Sequence, residues 1–218
     1  MRIHLRINST DKIIPFDHQP LLTGTIHKWL GWNNEHGKVS LYSFSQLTDG
    51  KVVCDGFKFN TGTSLFFSSY DSDLIRRLIS GIQSDPSMFC GLIVTEVIIQ
   101  DDPDFSERTL FQVASPIFIK RRVGEIIDHI LYDDPRADAC LKETLLTKMD
   151  YVGLTDKSFE IRFDRFYPKA RTKKITYNNI QNRANWCPII IEGKPEIKQF
   201  AWNVGLGNST GIGFGAIK

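Results

Sequence analysis

The chain has 218 residues, which at ~150 residues per domain suits one large domain or two small ones. Hydrophobic residues make up 41% and charged residues 24%, a globular balance that argues against disorder, and no apolar run approaches the ~20 residues of a membrane span. The formal net charge is only +2, so no single-signed charge governs the whole molecule.

The opening residues Met1-Arg2-Ile3-His4-Leu5-Arg6 alternate as a strand does, with Ile3, Leu5 and Ile7 on the inner face and Arg2, His4 and Arg6 outward. They do not read as an export signal, which predicts a cytoplasmic protein with no membrane contact. A helix follows at about 20–31, with Pro20 in its first turn and Leu22, Ile26, Trp29 and Leu30 in one stripe. Two β-prone runs come next, about 39–47 and 51–69. Asp71 and Asp73 open a second helix over 71–83, whose apolar face is Leu74, Ile75, Leu78, Ile79 and Ile82. A Val- and Ile-rich strand at 90–100 completes the order β-α-β-β-α-β.

Asp101-Asp102-Pro103-Asp104 breaks the pattern and marks an exit from this unit. The second half reads similarly: a strand near 111–121, a helix over 134–150 with Leu141, Leu145 and Met149 at i, i+4 and i+8, and an alternating strand at Phe159, Ile161 and Phe163. Further strands fit near 170–177, 186–192 and 212–217. The predicted fold class is therefore α+β: two tandem ferredoxin-like (βαββαβ) domains, residues 1–108 and 109–218.

Cys54, Cys90, Cys140 and Cys187 stand singly, with no CxxC pair or Cys/His cluster. This pattern disfavours a zinc site of the usual spacing and predicts buried thiols in a reducing compartment. Neither a metal nor a cofactor motif is present. The charge is unevenly placed, however. Residues 1–112 hold ten Lys/Arg against thirteen Asp/Glu, whereas 113–218 hold seventeen against twelve. Within 162–183 seven basic residues face Asp164 alone, which marks either a polyanion surface or a solvated charged face.

The most specific local feature is Gly205-Leu206-Gly207-Asn208-Ser209-Thr210-Gly211-Ile212-Gly213-Phe214-Gly215, which holds five of the sixteen glycines. Such a loop can present N–H groups to phosphates; the alternative is a glycine-tolerant turn before a last strand. It is not a dinucleotide or P-loop, because those open a helix inside a βαβ unit. The pattern G-h-G, five residues, G-h-G resembles the signature loop of the RAMP superfamily. More closely, the chain resembles the CRISPR-associated endoribonuclease six family. Leu21-Leu22-Thr23-Gly24-Thr25-Ile26-His27-Lys28-Trp29-Leu30 is similar to that family's first helix, and Glu35-His36-Gly37 with Tyr42-Ser43-Phe44-Ser45-Gln46-Leu47 to its histidine loop and next strand. Ser115-Pro116-Ile117 resembles the start of its second domain, and Ile189-Ile190-Ile191-Glu192-Gly193 the approach to its glycine loop.

The resemblance implies a metal-independent nuclease that cuts precursor CRISPR RNA within repeats. A ribose 2′-OH attacks the adjacent phosphate and leaves a 2′,3′-cyclic phosphate and a 5′-OH. Histidine suits both proton transfers because its pKa of about 6.5 keeps both forms available near neutrality. His4 reads as a surface residue without a partner, His18 as serving a helix start, and His129 as structural. His27 and His36 remain: the resemblance places the family's loop histidine at His36, while at the position of His27 many relatives carry tyrosine and others a second histidine. Small neighbours at Thr23 and Gly31 predict an uncrowded His27 imidazole. Lys38 is the expected source of charge for the transition state.

RNA contacts are expected from Lys120, Arg121, Arg122, Lys169, Arg171, Lys173 and Lys174, and from Gly205, Gly207, Gly211, Gly213 and Gly215. Tyr167, Tyr177 and Trp186 interleave with the basic residues as stacking candidates, with core packing the stronger expectation for Trp186. The expected partners are CRISPR repeat RNA and, as a second class, subunits of a CRISPR effector complex. The competing readings are a non-catalytic RAMP subunit, an inactive RNA-binding relative and an unrelated ferredoxin-like metabolic domain.

Overall fold

A computed structural model describes residues 1–31 and 39–218. The expectations placed on Glu35, His36, Gly37 and Lys38 lie outside the described residues. The first half comprises β1 (Arg2–Ile7), β2 (Thr10–Pro15), α1 (Gln19–Leu30), β3 (Tyr42–Phe44), β4 (Lys51–Val53), β5 (Gly56–Phe59), β6 (Thr63–Ser69), α2 (Ser72–Ser84) and β7 (Val94–Gln100). Four of these strands form an antiparallel sheet in the order β3-β6-β1-β7. Ile3, Leu5 and Ile7 point to one face, where they join Leu22, Ile26 and Trp29 of α1 and Leu74 and Leu78 of α2 in a single core. Asp71 caps α2 by accepting the Asp73 N–H at 2.8 Å.

The second half comprises β8 (Leu110–Phe111), β9 (Lys120–Val123), β10 (Ile126–His129), α3 (Ala137–Tyr151), β11 (Glu160–Phe163), β12 (Arg171–Tyr177), β13 (Ile180–Trp186), β14 (Ile189–Glu192) and α4 (Pro195–Val204). Its antiparallel sheet runs β11-β14-β8, and the last residues lie beside β8 through Gln112 and Lys218, which exchange backbone bonds of 2.8 Å. Taking only the strands of the two larger sheets and the helices between them, the first half reads β1-α1-β3-β6-α2-β7 and the second β8-α3-β11-β14-α4. Leu141, Leu145 and Met149 of α3 are fully enclosed, as their spacing predicts.

Several elements depart from the sequence expectation. The run 111–121 is not one strand: β8 is short, and β9 pairs with β10 in a hairpin turned at Gly124-Glu125. The stretch 170–192 holds three strands, because Asn178 and Asn179 both take positive φ (49° and 64°) and turn β12 back into β13. β2 and α4 were not expected. Arg2, placed outward by alternation, is instead 2% exposed, because α4 and the closing segment cover that end of the sheet. Cys54 is exposed and Cys90 half-buried, whereas Cys140 and Cys187 are buried thiols as expected; burial pushes the Cys187 pKa up to about 12. Among the described residues, no helix is long and apolar enough to cross a membrane.

Candidate functional site

Helix α1 buries two different stripes. Leu22, Ile26, Trp29 and Leu30 face the sheet, while Gln19, Thr23 and His27 fall at i, i+4 and i+8 and form a polar row beside them. The glycine-rich loop packs against that row. Gln19 Nε2 donates to the Ile212 carbonyl at 2.8 Å, and Thr23 Oγ1 donates to the same oxygen at 3.2 Å. His27 Nε2 lies 3.3 Å from the Gly211 carbonyl and 3.2 Å from the Tyr42 hydroxyl, which itself donates to Gly211 at 3.3 Å. The face around His27 is therefore not open, as its small neighbours had suggested. It is occupied by a loop that arrives from the other half of the chain.

A carbonyl only accepts, so the 3.3 Å contact to Gly211 is a hydrogen bond when Nε2 carries a proton. Tyr42 is buried and stacked on Phe67 at 5.2 Å, so its hydroxyl is a fixed partner. The loop is tight against α1 and β3: a Cβ on Gly213, whose φ is +88°, would stand 1.8 Å from Gln19 Nε2 and 2.7 Å from the Phe44 ring, and one on Gly211 would stand 2.5 Å from Ser40 Oγ and 3.0 Å from the Tyr42 hydroxyl. Gly205, Gly207, Gly211, Gly213 and Gly215 are all buried. The amides of Gly205, Gly213 and Gly215 bond to Ala201, Thr210 and Pro116 carbonyls, so these three N–H groups are turned inward. The loop's more accessible residues are Asn208, Ser209 and Ile212.

The basic residues divide between two places. Lys120 and Arg121 border an open depression of about 670 Å³ that is also lined by Ser40, Lys148 and Asn208 to Thr210. The Lys120 amide donates to Asn208 Oδ1 at 2.9 Å, which ties β9 to the glycine loop. Arg121 pairs with Glu143 at 2.6 Å, and the exposed Arg122 reaches the Gly124 carbonyl at 3.1 Å. Lys173, Lys174 and Trp186 instead border a cleft of about 720 Å³ between the halves, together with His4, Gln46 and Phe66. Lys173 Nζ lies 3.9 Å above the half-buried Trp186 ring and 3.4 Å from Gln46 Oε1; burial and neighbouring Arg171 lower its pKa. Lys169 and Arg171 are exposed at the start of β12, where Arg171 donates to the Lys169 carbonyl at 3.3 Å.

The other described histidines, His4, His18 and His129, are held structurally. His4 does have a partner, since its Nε2 donates to Gln100 Oε1 at 2.6 Å. His18 is buried with its Nδ1 on the Pro15 carbonyl at 2.9 Å, and burial lowers its pKa. His129 packs edge-on against Phe118 and accepts the Arg183 amide at 3.3 Å. Sequence reasoning missed Tyr42, Gln19 and Lys148 at this site. The i, i+4, i+8 polar row was legible in α1, but the partner that fills it lies more than 180 residues away.

Residues 100–218 match the family model described as CRISPR associated protein Cas6, C-terminal. A Methanocaldococcus jannaschii protein named CRISPR-associated endoribonuclease Cas6 1 is 24% identical across 100% of this chain and 92% of its own. A Cas6 endoribonuclease-like protein of Pyrococcus furiosus is 26% identical, with 71% of this chain and 67% of the relative covered. A solved structure described as CRISPR associated protein Cas6 superposes with a TM-score of 0.86 at 20% identity, covering 100% of this chain and 98% of that one. Another, described as a RAMP protein binding different RNA substrates, gives 0.82 at 22% over 100% and 98%. At these identities the structural likeness is one of fold.

Proposed function

Because the chain belongs to the Cas6 family of CRISPR-associated proteins, we propose that it is a metal-independent endoribonuclease that cuts precursor CRISPR RNA within its repeats. The observation that carries this reading is the His27 imidazole, half-buried near the end of α1 and held by the Gly211 carbonyl and the Tyr42 hydroxyl. The relative named as an endoribonuclease supports the activity, and the RAMP protein described as binding RNA supports the substrate class. The halves 1–108 and 109–218 are read as tandem ferredoxin-like domains. The order β3-β6-β1-β7, and the order β11-β14-β8 flanked by the pairing of Gln112 with Lys218, support that division.

In this reading the 2′ oxygen forms a bond to phosphorus as the bond from phosphorus to the 5′ oxygen breaks. One group removes the 2′ proton and another delivers a proton to the leaving 5′ oxygen, yielding a 2′,3′-cyclic phosphate and a 5′-OH. His27 and His36 divide these transfers, each worth ~10²–10⁴-fold when positioned. Lys38 supplies charge to the phosphorane; His36 and Lys38 lie outside the described residues, so their roles rest on the sequence reading. Lys120, Arg121 and Arg122 on the side of the glycine loop, Lys169 and Arg171 at the start of β12, and Lys173 and Lys174 in the cleft neutralise RNA phosphates. The Trp186 face is shared with Lys173, so its stacking on a base would require that lysine to move aside.

The test is cleavage of a labelled repeat RNA in EDTA by wild type, His27→Ala and His36→Ala. Single-site cutting with a cyclic phosphate end, depressed at least ~100-fold in each variant with RNA affinity retained, is the expected result. Tight binding without cutting by the wild type would place the protein among RNA-holding RAMP subunits instead.

A further inference from the structure

Lys148 occupies an unusual place for a lysine. It lies on α3 among Leu141, Leu145 and Met149, and is 5% exposed. Its Nζ donates to the Val204 carbonyl at 3.0 Å, the Gly205 carbonyl at 3.1 Å and Thr210 Oγ1 at 3.1 Å. In its charged form the amine has three N–H donors, which these bonds use in full, and none of the three partners is a carboxylate. Burying an ammonium without an opposite charge costs several kcal/mol, and here burial pushes the Lys148 pKa down to about 7. Leucine or methionine would suit the same stripe at no such cost. The lysine therefore supplies something that an apolar side chain cannot, namely three directed bonds to one loop.

Those bonds grip the loop at both ends. Val204 and Gly205 are where the chain leaves α4, and Thr210 opens the single turn Thr210–Ile212. The next carbonyl, Gly211, holds His27 and Tyr42, and the one after, Ile212, receives Gln19 and Thr23. The lysine's anchor, Thr210, is thus directly adjacent in the chain to the residue whose oxygen orients the imidazole. A carbonyl shifted by ~1 Å at this point would release the ring, and misplacements of that size can cost ~100-fold in rate.

We infer that Lys148 is a positioning residue for His27: it locks the turn at Thr210 so that the Gly211 carbonyl holds the imidazole in one orientation with its proton on Nε2. The inference rests on the reading of His27 as a proton-transfer group, but its geometric content can be measured without activity.

The experiment compares wild type with Lys148→Met, Thr210→Val and Thr210→Ser. Thr210→Val removes the acceptor at nearly constant shape, and Thr210→Ser restores it. Three quantities are read: the His27 ring nitrogen spectrum, assigned by the signal lost in His27→Gln; the single-turnover cleavage rate; and the Kd for repeat RNA. The wild type and Thr210→Ser should show one Nε2–H tautomer. Lys148→Met and Thr210→Val should show a mixture and cut ~10–100-fold more slowly, with Kd changed less than twofold. If Lys148→Met does not fold, Thr210→Val carries the comparison. A folded Thr210→Val protein with the wild-type ring spectrum and rate would overturn the inference. Wild-type cutting by His27→Ala would overturn the role of His27 instead, and the ring spectrum would then decide the positioning on its own.

Discussion

The Arg2 guanidinium lies 3.4 Å from the centre of the Trp202 indole and donates to the Trp202 carbonyl at 3.0 Å. Its other face stacks on Phe66 at 3.7 Å, and further bonds reach the Ile217 carbonyl at 2.7 Å and Ser68 Oγ at 2.6 Å. Burial lowers its pKa, but a guanidinium so held stays charged. The first strand of one half is thereby riveted to the last helix and closing segment of the other.

Arg2→Lys should destabilise the protein by ~2–4 kcal/mol in urea unfolding. A lysine cannot reproduce the planar fork and leaves buried carbonyls unpaired. A loss below ~0.5 kcal/mol would show that the halves are held together without this side chain.

Gly215→Ala and Gly124→Ala separate steric crowding from backbone strain. Both glycines have positive φ (73° and 63°), but a Cβ at Gly215 would meet the Leu206 carbonyl oxygen at 1.9 Å, whereas nothing lies within 4 Å at Gly124. Gly124→Ala should cost only the left-handed penalty, ~1–2 kcal/mol, and Gly215→Ala distinctly more. Equal losses in thermal or urea melts would contradict the packing at the glycine loop.

The stability gap between wild type and Lys148→Met should depend on pH. The folded pKa is about 7 against 10.5 unfolded, so between those values the unfolded chain binds more protons and wild-type stability rises with pH. Below pH 7 the penalty of the buried charge is fully present, and above pH 10.5 it is gone. Relative to the variant, the wild type should gain up to about 1.4 kcal/mol per pH unit across this window. A gap that stays flat from pH 7 to 10 would mean that the ammonium is not desolvated.

Changing Lys173 and Lys174 together to Ala should weaken RNA binding most at low salt. For single-stranded RNA each phosphate contact contributes ~0.7 to the slope of log K against log salt, so the slope should shrink by ~1.4. An unchanged slope would move the RNA path away from the cleft.

What the sequence made legible was whatever depends on near neighbours. The alternation of Ile3, Leu5 and Ile7, the stripe of α1 and the 141-145-149 face of α3 each report a periodic burial, and the structure shows those faces buried. α4 carries a periodic signal that the sequence expectation does not use: Ile197, Phe200, Ala201 and Val204 repeat at i, i+3, i+4 and i+7 between Pro195 and Gly205. The β12–β13 turn uses Asn178-Asn179, a weaker hairpin signal than Asn-Gly. β2 shows little alternation: Ile13 and Ile14 are adjacent, with Ile14 buried and Ile13 exposed. At the site, His27 could be singled out by residue type and position. Its partner Gly211, and Lys148 behind it, could not, because they come from parts of the chain that only tertiary packing brings near.

The contact between the α1 polar row and the glycine loop also limits how such a chain can be recombined. Ile212 offers one oxygen to two α1 side chains, and Gly213 has no room for a methyl group against Gln19. A chimera joining the first half of this chain to the second half of a distant relative would keep both cores intact yet misfit at this seam. Substitutions at 19, 23 or 27 would need answering changes near 210–213, so the two halves form one heritable unit and not a pair of interchangeable modules.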